Sequence, residues 1–232
     1  MKQNSEQKVE DLTSSPTCGK PLVMGSTVFN EDCMTVMARY PDKFFDLAIV
    51  DPPYGIGNFC QTTGNVRGKG GKKGVKIEWN DATPSPEYFK ELERVSQEQI
   101  IWGANYYNCF NGGRGAIIWD KNQPLPDMSQ CEIASYSRLR KIAVYRQTWT
   151  NYVNDRKTTH QCEKPIKLYE WLLKNYAKEG FKILDTHLGS GSSRIAAQKM
   201  GFDFVGCEID KFYFNAQEKR FKDFTSQLRL FG

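Results

Sequence analysis

Apolar runs separated by glycine, proline and charged residues divide most of this chain into short elements. The run from Phe44 to Val50 is almost wholly apolar and β-branched, which is typical of a strand covered on both faces. Shorter apolar runs predict further strands at 23–29, 99–102 and 115–119. Helical patterns predict helices at 35–40 and 86–98.

The last third of the chain has the most regular pattern. It alternates helices and strands around a glycine turn, in the order helix 164–177, strand 181–184, turn 189–191, helix 192–200, strand 204–207 and helix 212–221. Alternation of this kind predicts an α/β fold with a doubly wound, mostly parallel sheet.

Three segments lack such a pattern. Residues 1–20 are polar and are predicted to be a flexible tail, which leaves 21–232 as one domain. Residues 55–80 combine glycines with basic side chains and are predicted to form a mobile loop. Residues 120–158 are rich in Arg, Lys, Tyr and Trp and form the third segment.

Composition narrows the class of protein further. The net charge of +5 is compatible with a polyanionic partner without requiring one. The seven cysteines include no Cys-x-x-Cys pair, and the chain has two histidines, so we expect a reducing cytoplasm and no metal site. No apolar run approaches the ~20 residues that span a bilayer, so we expect no membrane partner.

The turn after the strand at 181–184 has the features of a nucleotide-binding site. Asp185 ends this strand, Gly189 and Gly191 form the turn, and Glu208 ends the next strand, where a carboxylate can bind ribose hydroxyls. A Gly-Lys-Ser/Thr sequence and the third glycine of Gly-x-Gly-x-x-Gly are both missing. A cofactor with a ribose and no pyrophosphate, such as S-adenosylmethionine, therefore fits best, although a plain strand–helix turn has the same pattern.

The tetrapeptide Asp51-Pro52-Pro53-Tyr54 directly follows the buried strand. The Asp51 carboxylate and the Pro52 carbonyl, which proline geometry holds in place, can accept the two hydrogens of a nucleobase amine. Tyr54 can stack on the base, which must leave the duplex to be reached. An ordinary Pro-Pro turn after a strand remains the simpler alternative.

Taken in order, these motifs resemble the amino-directed DNA methyltransferases that act on adenine N6 or cytosine N4, in the permuted arrangement called beta. Three further stretches carry the resemblance: Asn30–Cys33, His160–Pro165, and Phe204–Asp210 with Tyr213, Ala216 and Arg220. It covers residues 22–221. It departs at Thr186 and His187, where the family has proline and phenylalanine, and at Gln161-Cys162, where it has Pro-Thr.

The resemblance implies a Rossmann-like methyltransferase fold with a small target-recognition insertion at about 120–158. It also implies S-adenosylmethionine as cofactor, with Asp32 at the adenine amine and 160–165 at the methionine end. The cofactor-binding residues expected in this way are Asp32, His160, Lys164, Pro165, Asp185, His187, Gly189, Ser190, Gly191, Ser192, Glu208 and Ile209. The catalytic residues expected are Asp51, Pro52, Pro53 and Tyr54.

Double-stranded DNA is the expected substrate, bound by two basic segments. The loop contributes Arg67, Lys69, Lys72 and Lys73, and the recognition segment contributes Arg138, Arg140, Lys141 and Arg146. A homodimer and a cognate restriction endonuclease are possible partners.

The sequence thus predicts transfer of a methyl group to N6 of a flipped adenine within a short DNA site, because aspartate begins the tetrapeptide where cytosine enzymes more often have serine. Cytosine N4, an RNA substrate and a non-catalytic DNA-binding regulator on the same scaffold remain alternatives. A nicotinamide-dependent oxidoreductase is a weaker one, since the third glycine is missing.

Overall fold

A computed structural model describes residues 25–56, 82–110, 114–122, 129–138, 140–148 and 163–231 of the chain. Its centre is an eight-stranded sheet in the order β1-β8-β7-β2-β3-β5-β4-β6. The strands are β1 Ser26–Phe29, β2 Phe45–Val50, β3 Ser96–Trp102, β4 Gly115–Asp120, β5 Cys131–Tyr136, β6 Ile142–Arg146, β7 Lys182–Asp185 and β8 Asp203–Cys207.

Of these eight strands, β5 alone is antiparallel to both of its neighbours, β3 and β4. Every other pairing is parallel. The sheet is therefore mostly parallel, as the alternation of helices and strands predicted. The described helices are α1 Cys33–Met37, α2 Pro86–Val95, α3 Ala104–Tyr107, α4 Ile166–Tyr176, α5 Ser192–Lys199 and α6 Lys211–Phe231.

Helices cover both faces of the sheet, which explains the continuous apolar pattern of β2. Leu47 and Ile49 pack in a core with α4 and α5. Ala48 and Val50 point the other way and pack in a second core with α1 and α2. All four side chains are buried. The carboxyl ends of the parallel strands consequently meet at one edge, where open α/β sheets bind ligands.

The predicted helix at 86–98 is wrong at its end, because α2 stops at Val95 and β3 begins at Ser96. Polar residues in the first half of β3 hide this strand from a hydrophobicity pattern. Glu98 is buried there, where its carboxylate accepts a hydrogen bond from Tyr136 and pairs with Arg138 at 3.0 Å. Satisfied in this way, a buried carboxylate is tolerated inside a sheet.

Residues 131–146 of the expected recognition segment contribute β5 and β6 to the central sheet, although no strand was predicted there. The whole 1–20 tail and most of the 55–80 loop lie outside the described residues, as do Arg67, Lys69, Lys72, Lys73 and His160. None of the described helices is long and apolar enough to span a membrane.

Candidate active site

Three carboxylates that the sequence singled out lie at the same edge of the sheet. Asp185 ends β7 and Asp51 follows β2, and these two strands are parallel neighbours with Ala48 opposite Leu184. Glu208 follows β8, the neighbour of β7 on its other side. The topology thus brings the predicted catalytic and cofactor residues to one crevice.

The glycine turn between β7 and α5 is held by Glu208 and Arg220. Glu208 accepts hydrogen bonds from the backbone N–H groups of Gly189 and Asp210, each at 2.9 Å. Burial raises the pKa of its carboxyl, against these two hydrogen bonds. Arg220 donates to the Ser190 carbonyl at 2.8 Å and to the Ser192 hydroxyl at 3.1 Å. The turn is therefore built before any ligand binds.

Asp185 is buried beneath this turn. Its carboxylate accepts hydrogen bonds from the Ser193 hydroxyl at 2.5 Å and from the His187 backbone N–H at 3.0 Å. Burial outweighs these bonds and raises its pKa to about 7. Asp185 therefore keeps its proton to a higher pH in the folded protein than an exposed aspartate does.

Asp185→Asn is expected to stabilise the protein at pH 8 more than at pH 5. The raised pKa means that folded Asp185 keeps a proton that the unfolded chain has lost, so wild-type stability falls as pH rises from about 4 to 7. At about 1.4 kcal/mol per pH unit, the advantage of the asparagine variant grows by roughly 2–3 kcal/mol between pH 5 and 8. Urea unfolding at both pH values measures the difference in the free energy of unfolding between the variant and the wild type. A difference that does not change with pH would contradict the prediction.

A cavity of about 230 Å³ opens beside the turn. Its lining includes Cys33, Met34, Pro53, Tyr88 and His187. The His187 ring meets Tyr88 edge-on at 5.4 Å between centroids, and burial lowers its pKa to about 4, so it is a neutral flat ring at pH 7. The cavity therefore links His187, one of the predicted cofactor residues, with Pro53 of the tetrapeptide.

Asp32 directly precedes α1 and caps its amino end. Its carboxylate accepts hydrogen bonds from the N–H groups of Met34 at 2.9 Å and Thr35 at 3.2 Å. Ile209, next to Glu208, exposes 66% of its surface although it is apolar. A buried carboxylate, a preformed turn, an aromatic-lined cavity and an exposed apolar side chain together fit a nucleoside group.

Around Asp51 the structure assembles a buried polar cluster. One carboxylate oxygen, Oδ1, accepts a hydrogen bond from the Tyr54 hydroxyl at 2.7 Å. The other, Oδ2, pairs with the Lys164 ammonium. Lys164 was expected beside the cofactor, and its ammonium contacts the carboxylate of Asp51. Pro165 follows it and caps the start of α4.

Two residues of this cluster, Glu132 and Lys121, were missed by the sequence analysis. Glu132 lies on β5, with its Oε2 at 3.0 Å from Lys164 Nζ and its Oε1 at 2.6 Å from Lys121 Nζ. Although burial opposes it, the two ammonium groups lower the pKa of Glu132 to about 2. Asp51 and Glu132 likewise outweigh burial and raise the pKa of Lys164. Both residues are therefore charged at neutral pH.

The carbonyls of the tetrapeptide have a partner as well. The Tyr107 hydroxyl lies 2.6 Å from the Pro52 oxygen and 2.8 Å from the Pro53 oxygen, and can donate to either. Tyr107 stands at the end of α3, directly after β3. It holds the turn that carries the Pro52 carbonyl.

Tyr107→Phe should lower the maximal rate of a reaction at Asp51 about fivefold, because the Pro52 carbonyl loses its fixed direction at a cost of about 1 kcal/mol. The phenylalanine keeps the ring contacts with Phe89 and Tyr54. Tyr106→Phe is the matched control. Single-turnover rates measure the effect, and equal rates for both variants would refute a role for the Tyr107 hydroxyl.

The ring of Tyr54 is tightly enclosed. It stacks on Tyr106 with 4.9 Å between centroids and 16° between planes. Gly103 lies against it, with a φ of +72°, and a Cβ built on this glycine would stand 2.3 Å from Tyr54 Cε1. Backbone and aromatic neighbours thus fix the ring beside Asp51.

Four of the expected DNA contacts lie at two opposite edges of the sheet. Tyr136 pairs with Gly115 at the amino end of β4, so Arg138, Arg140 and Lys141 lie at the sheet edge opposite Asp51. They cannot contact a base held at Asp51. Arg146, at the carboxyl end of β6, lies at the catalytic edge and pairs with Asp120 at 2.8 Å.

Within the described ranges, no group of three or more His, Cys, Asp or Glu side chains is arranged to hold a metal ion. What the site offers is a set of acceptors. Asp51 and the neighbouring carbonyls can accept hydrogens from an amine, and the adjacent cavity can hold a nucleoside. The arrangement suits alignment of an amine with an electrophile.

Comparison with known proteins agrees with this chemistry. Residues 116–219 match the model of a DNA methylase family. The chain is 23% identical to the type II methyltransferase M.HinfI of Haemophilus influenzae, over 85% of this chain and 68% of that protein. It is also 23% identical to the type II methyltransferase M2.DpnII of Streptococcus pneumoniae, over 82% and 87%.

Solved structures share the fold. The complex of M1.HpyAVI with SAM superposes with a TM-score of 0.56 at 17% identity, covering 84% of this chain and 99% of that one. PvuII DNA methyltransferase, described as cytosine-N4-specific, superposes with a TM-score of 0.56 at 11% identity, covering 88% and 91%.

Proposed function

We propose that this chain belongs to the amino-directed DNA methyltransferase family and methylates the N6 amine of adenine in double-stranded DNA. The observation that carries the proposal is that Asp51 and Asp185 follow or end neighbouring parallel strands, next to a cavity that is lined by Pro53 of the tetrapeptide and by His187. Acceptors for an amine and a place for a nucleoside lie side by side. The family's relatives support the same general reaction.

S-adenosylmethionine is the cofactor that this site fits. Glu208 would hold its ribose, Ile209 and the cavity wall its adenine, and Asp185 with the turn its methionine end. It supplies an electrophilic methyl group on a positively charged sulfur. His187, neutral at pH 7, adds a flat apolar face to the cavity without adding charge.

The chain's own residues prepare the amine. An exocyclic amine is a weak nucleophile because its lone pair is delocalised into the ring. Asp51 and the Pro52 carbonyl accept its hydrogens and direct the lone pair towards the methyl group, so that most of the acceleration comes from orientation. As the new N–C bond formed, the methyl carbon would leave the sulfonium, whose sulfur becomes a neutral thioether. The nitrogen would become positive, and Asp51 is placed to receive the proton that it loses.

Adenine is proposed over cytosine because the tetrapeptide begins with aspartate. The cytosine N4 alternative has support of its own, since a structure described as cytosine-N4-specific shares the fold. The same acceptors can bind either amine. Selection between adenine and cytosine therefore depends on the residues that surround the bound base.

The deciding experiment is methyl transfer from tritiated S-adenosylmethionine to mixed-sequence DNA, followed by chromatography of the nucleosides. We expect label in N6-methyladenine. Label in N4-methylcytosine would establish the alternative. Cofactor binding in calorimetry without any transfer to DNA would favour a non-catalytic DNA-binding protein. Duplex, single-stranded DNA and RNA substrates run in parallel identify the nucleic acid.

The basic loop at 55–80 is proposed to contact DNA through Arg67, Lys69, Lys72 and Lys73. The relatives named as type II methyltransferases favour a restriction endonuclease as functional partner. A homodimer and a cytoplasmic location complete the proposal. Sedimentation of the purified protein with and without DNA tests the dimer.

A further inference from the structure

We infer that Glu132 is a positioning residue for methyl transfer: it takes over the Lys164 ammonium so that Asp51 is free to accept an amine hydrogen. This inference rests on the function proposed above. Neither the resemblance to known motifs nor the comparisons point to Glu132. It is carried by the contacts within the buried cluster.

The cluster is a row of alternating charges. Lys121 Nζ stands 2.6 Å from Glu132 Oε1, Glu132 Oε2 stands 3.0 Å from Lys164 Nζ, and Lys164 pairs with Asp51 Oδ2. The Lys164 side chain is only 3% exposed. The two positive and two negative charges cancel, which is the condition for burying them together.

Both oxygens of Asp51 have a donor in this arrangement. Tyr54 donates to Oδ1, and Lys164 pairs with Oδ2. A base amine at Asp51 must therefore share an oxygen with one of these donors, and the charged ammonium of Lys164 is the stronger competitor. A buried ammonium is costly to leave unpaired, so Lys164 can leave Oδ2 only if another anion receives it. Glu132, already within hydrogen-bond distance, is that anion.

The positive charge that develops during the reaction also requires that Lys164 be paired with an anion other than Asp51. The amine nitrogen becomes positive as its bond to the methyl carbon forms, and an uncompensated ammonium nearby would oppose this. Paired with Glu132, Lys164 no longer presents its full charge to the amine. Glu132 therefore acts through Lys164, without contact with the base.

The pKa of Asp51 reports on the charged and titratable groups that face its carboxylate. They are Tyr54, Tyr107, Glu132, Lys164 and Asp185. Burial raises the pKa of Asp51, Lys164 opposes this rise, and the charge of Glu132 adds to it. Removing the charge of Glu132 should consequently lower the pKa of Asp51, and removing that of Lys121 should raise it.

The test compares Glu132→Gln with Lys121→Met. For Glu132→Gln we expect a 10- to 100-fold lower kcat, an unchanged KM for S-adenosylmethionine, and an acid limb of the pH–rate profile moved to lower pH. For Lys121→Met we expect the acid limb at higher pH. Glu132→Asp should recover part of the lost rate. A purely structural role would not move the two acid limbs in opposite directions.

Carbon-13 titration of the Asp51 carboxyl in the protein without DNA gives a readout independent of activity, with the same opposite shifts expected. Equal kcat and an unmoved titration in Glu132→Gln would overturn the inference. If Glu132→Gln does not fold, an unmoved titration in Lys121→Met overturns it. Should the wild type transfer no methyl group to nucleic acid, the proposed function fails, while the titrations still decide whether Glu132 controls Lys164 and Asp51.

Discussion

Asp51→Asn is expected to abolish methyl transfer while leaving S-adenosylmethionine bound as in the wild type. Asparagine keeps the size of the side chain and removes the charge that accepts the amine hydrogen and the departing proton. Loss of such an acceptor and base costs at least roughly 10³-fold in rate. The fold should survive, because Lys164 keeps Glu132 as its partner at 3.0 Å.

Single-turnover transfer of a tritiated methyl group measures the loss, and calorimetry measures the retained cofactor affinity. Asp42→Asn is the matched control, since Asp42 is an exposed aspartate that pairs with Arg94 at 2.8 Å. Loss of transfer and of cofactor binding together in Asp51→Asn would mean that Asp51 supports the fold, and would contradict its catalytic assignment.

The residues that could be predicted from sequence are those that end a local pattern. Asp51 and Asp185 each directly follow or end an apolar strand, and in a parallel sheet such positions share one edge. Glu208 follows the same rule after β8. The doubly wound fold and the crevice therefore follow from short-range signals alone.

What could not be predicted depends on contacts between distant parts of the chain. Lys164 meets Asp51 across a separation of 113 residues. Glu132 lies on β5, whose antiparallel register with β3 and β4 puts it at the catalytic edge. Because of the same register, Arg138 lies at the opposite edge of the sheet from Asp51. No local pattern encodes a register. In addition, β3 contains buried polar residues and β6 exposes Ile142 and Val144, so neither strand has the hydrophobic pattern that predicts one.

The enclosure of Tyr54 leads to the second large effect. Gly103→Ala should lower both stability and activity, because Gly103 has a φ of +72° and its new Cβ would lie 2.3 Å from Tyr54 Cε1. The backbone strain costs about 1–2 kcal/mol and the overlap about 1–3 kcal/mol more. Displacement of the ring breaks the hydrogen bond from the Tyr54 hydroxyl to Asp51. A displacement of about 1 Å in an active site costs about 10²-fold in rate.

Gly180→Ala separates the strain from the collision. Gly180 has a φ of +80°, and no atom of the described residues lies within 4 Å of a Cβ built on it, so only the strain should appear, with activity unchanged. In a Tyr54→Ala background the collision partner is gone, and Gly103→Ala should then cost no more than Gly180→Ala. Urea unfolding of the four combinations measures this coupling. If Gly103→Ala costs the same with and without the Tyr54 ring, the glycine is needed for its own backbone and not for the tyrosine.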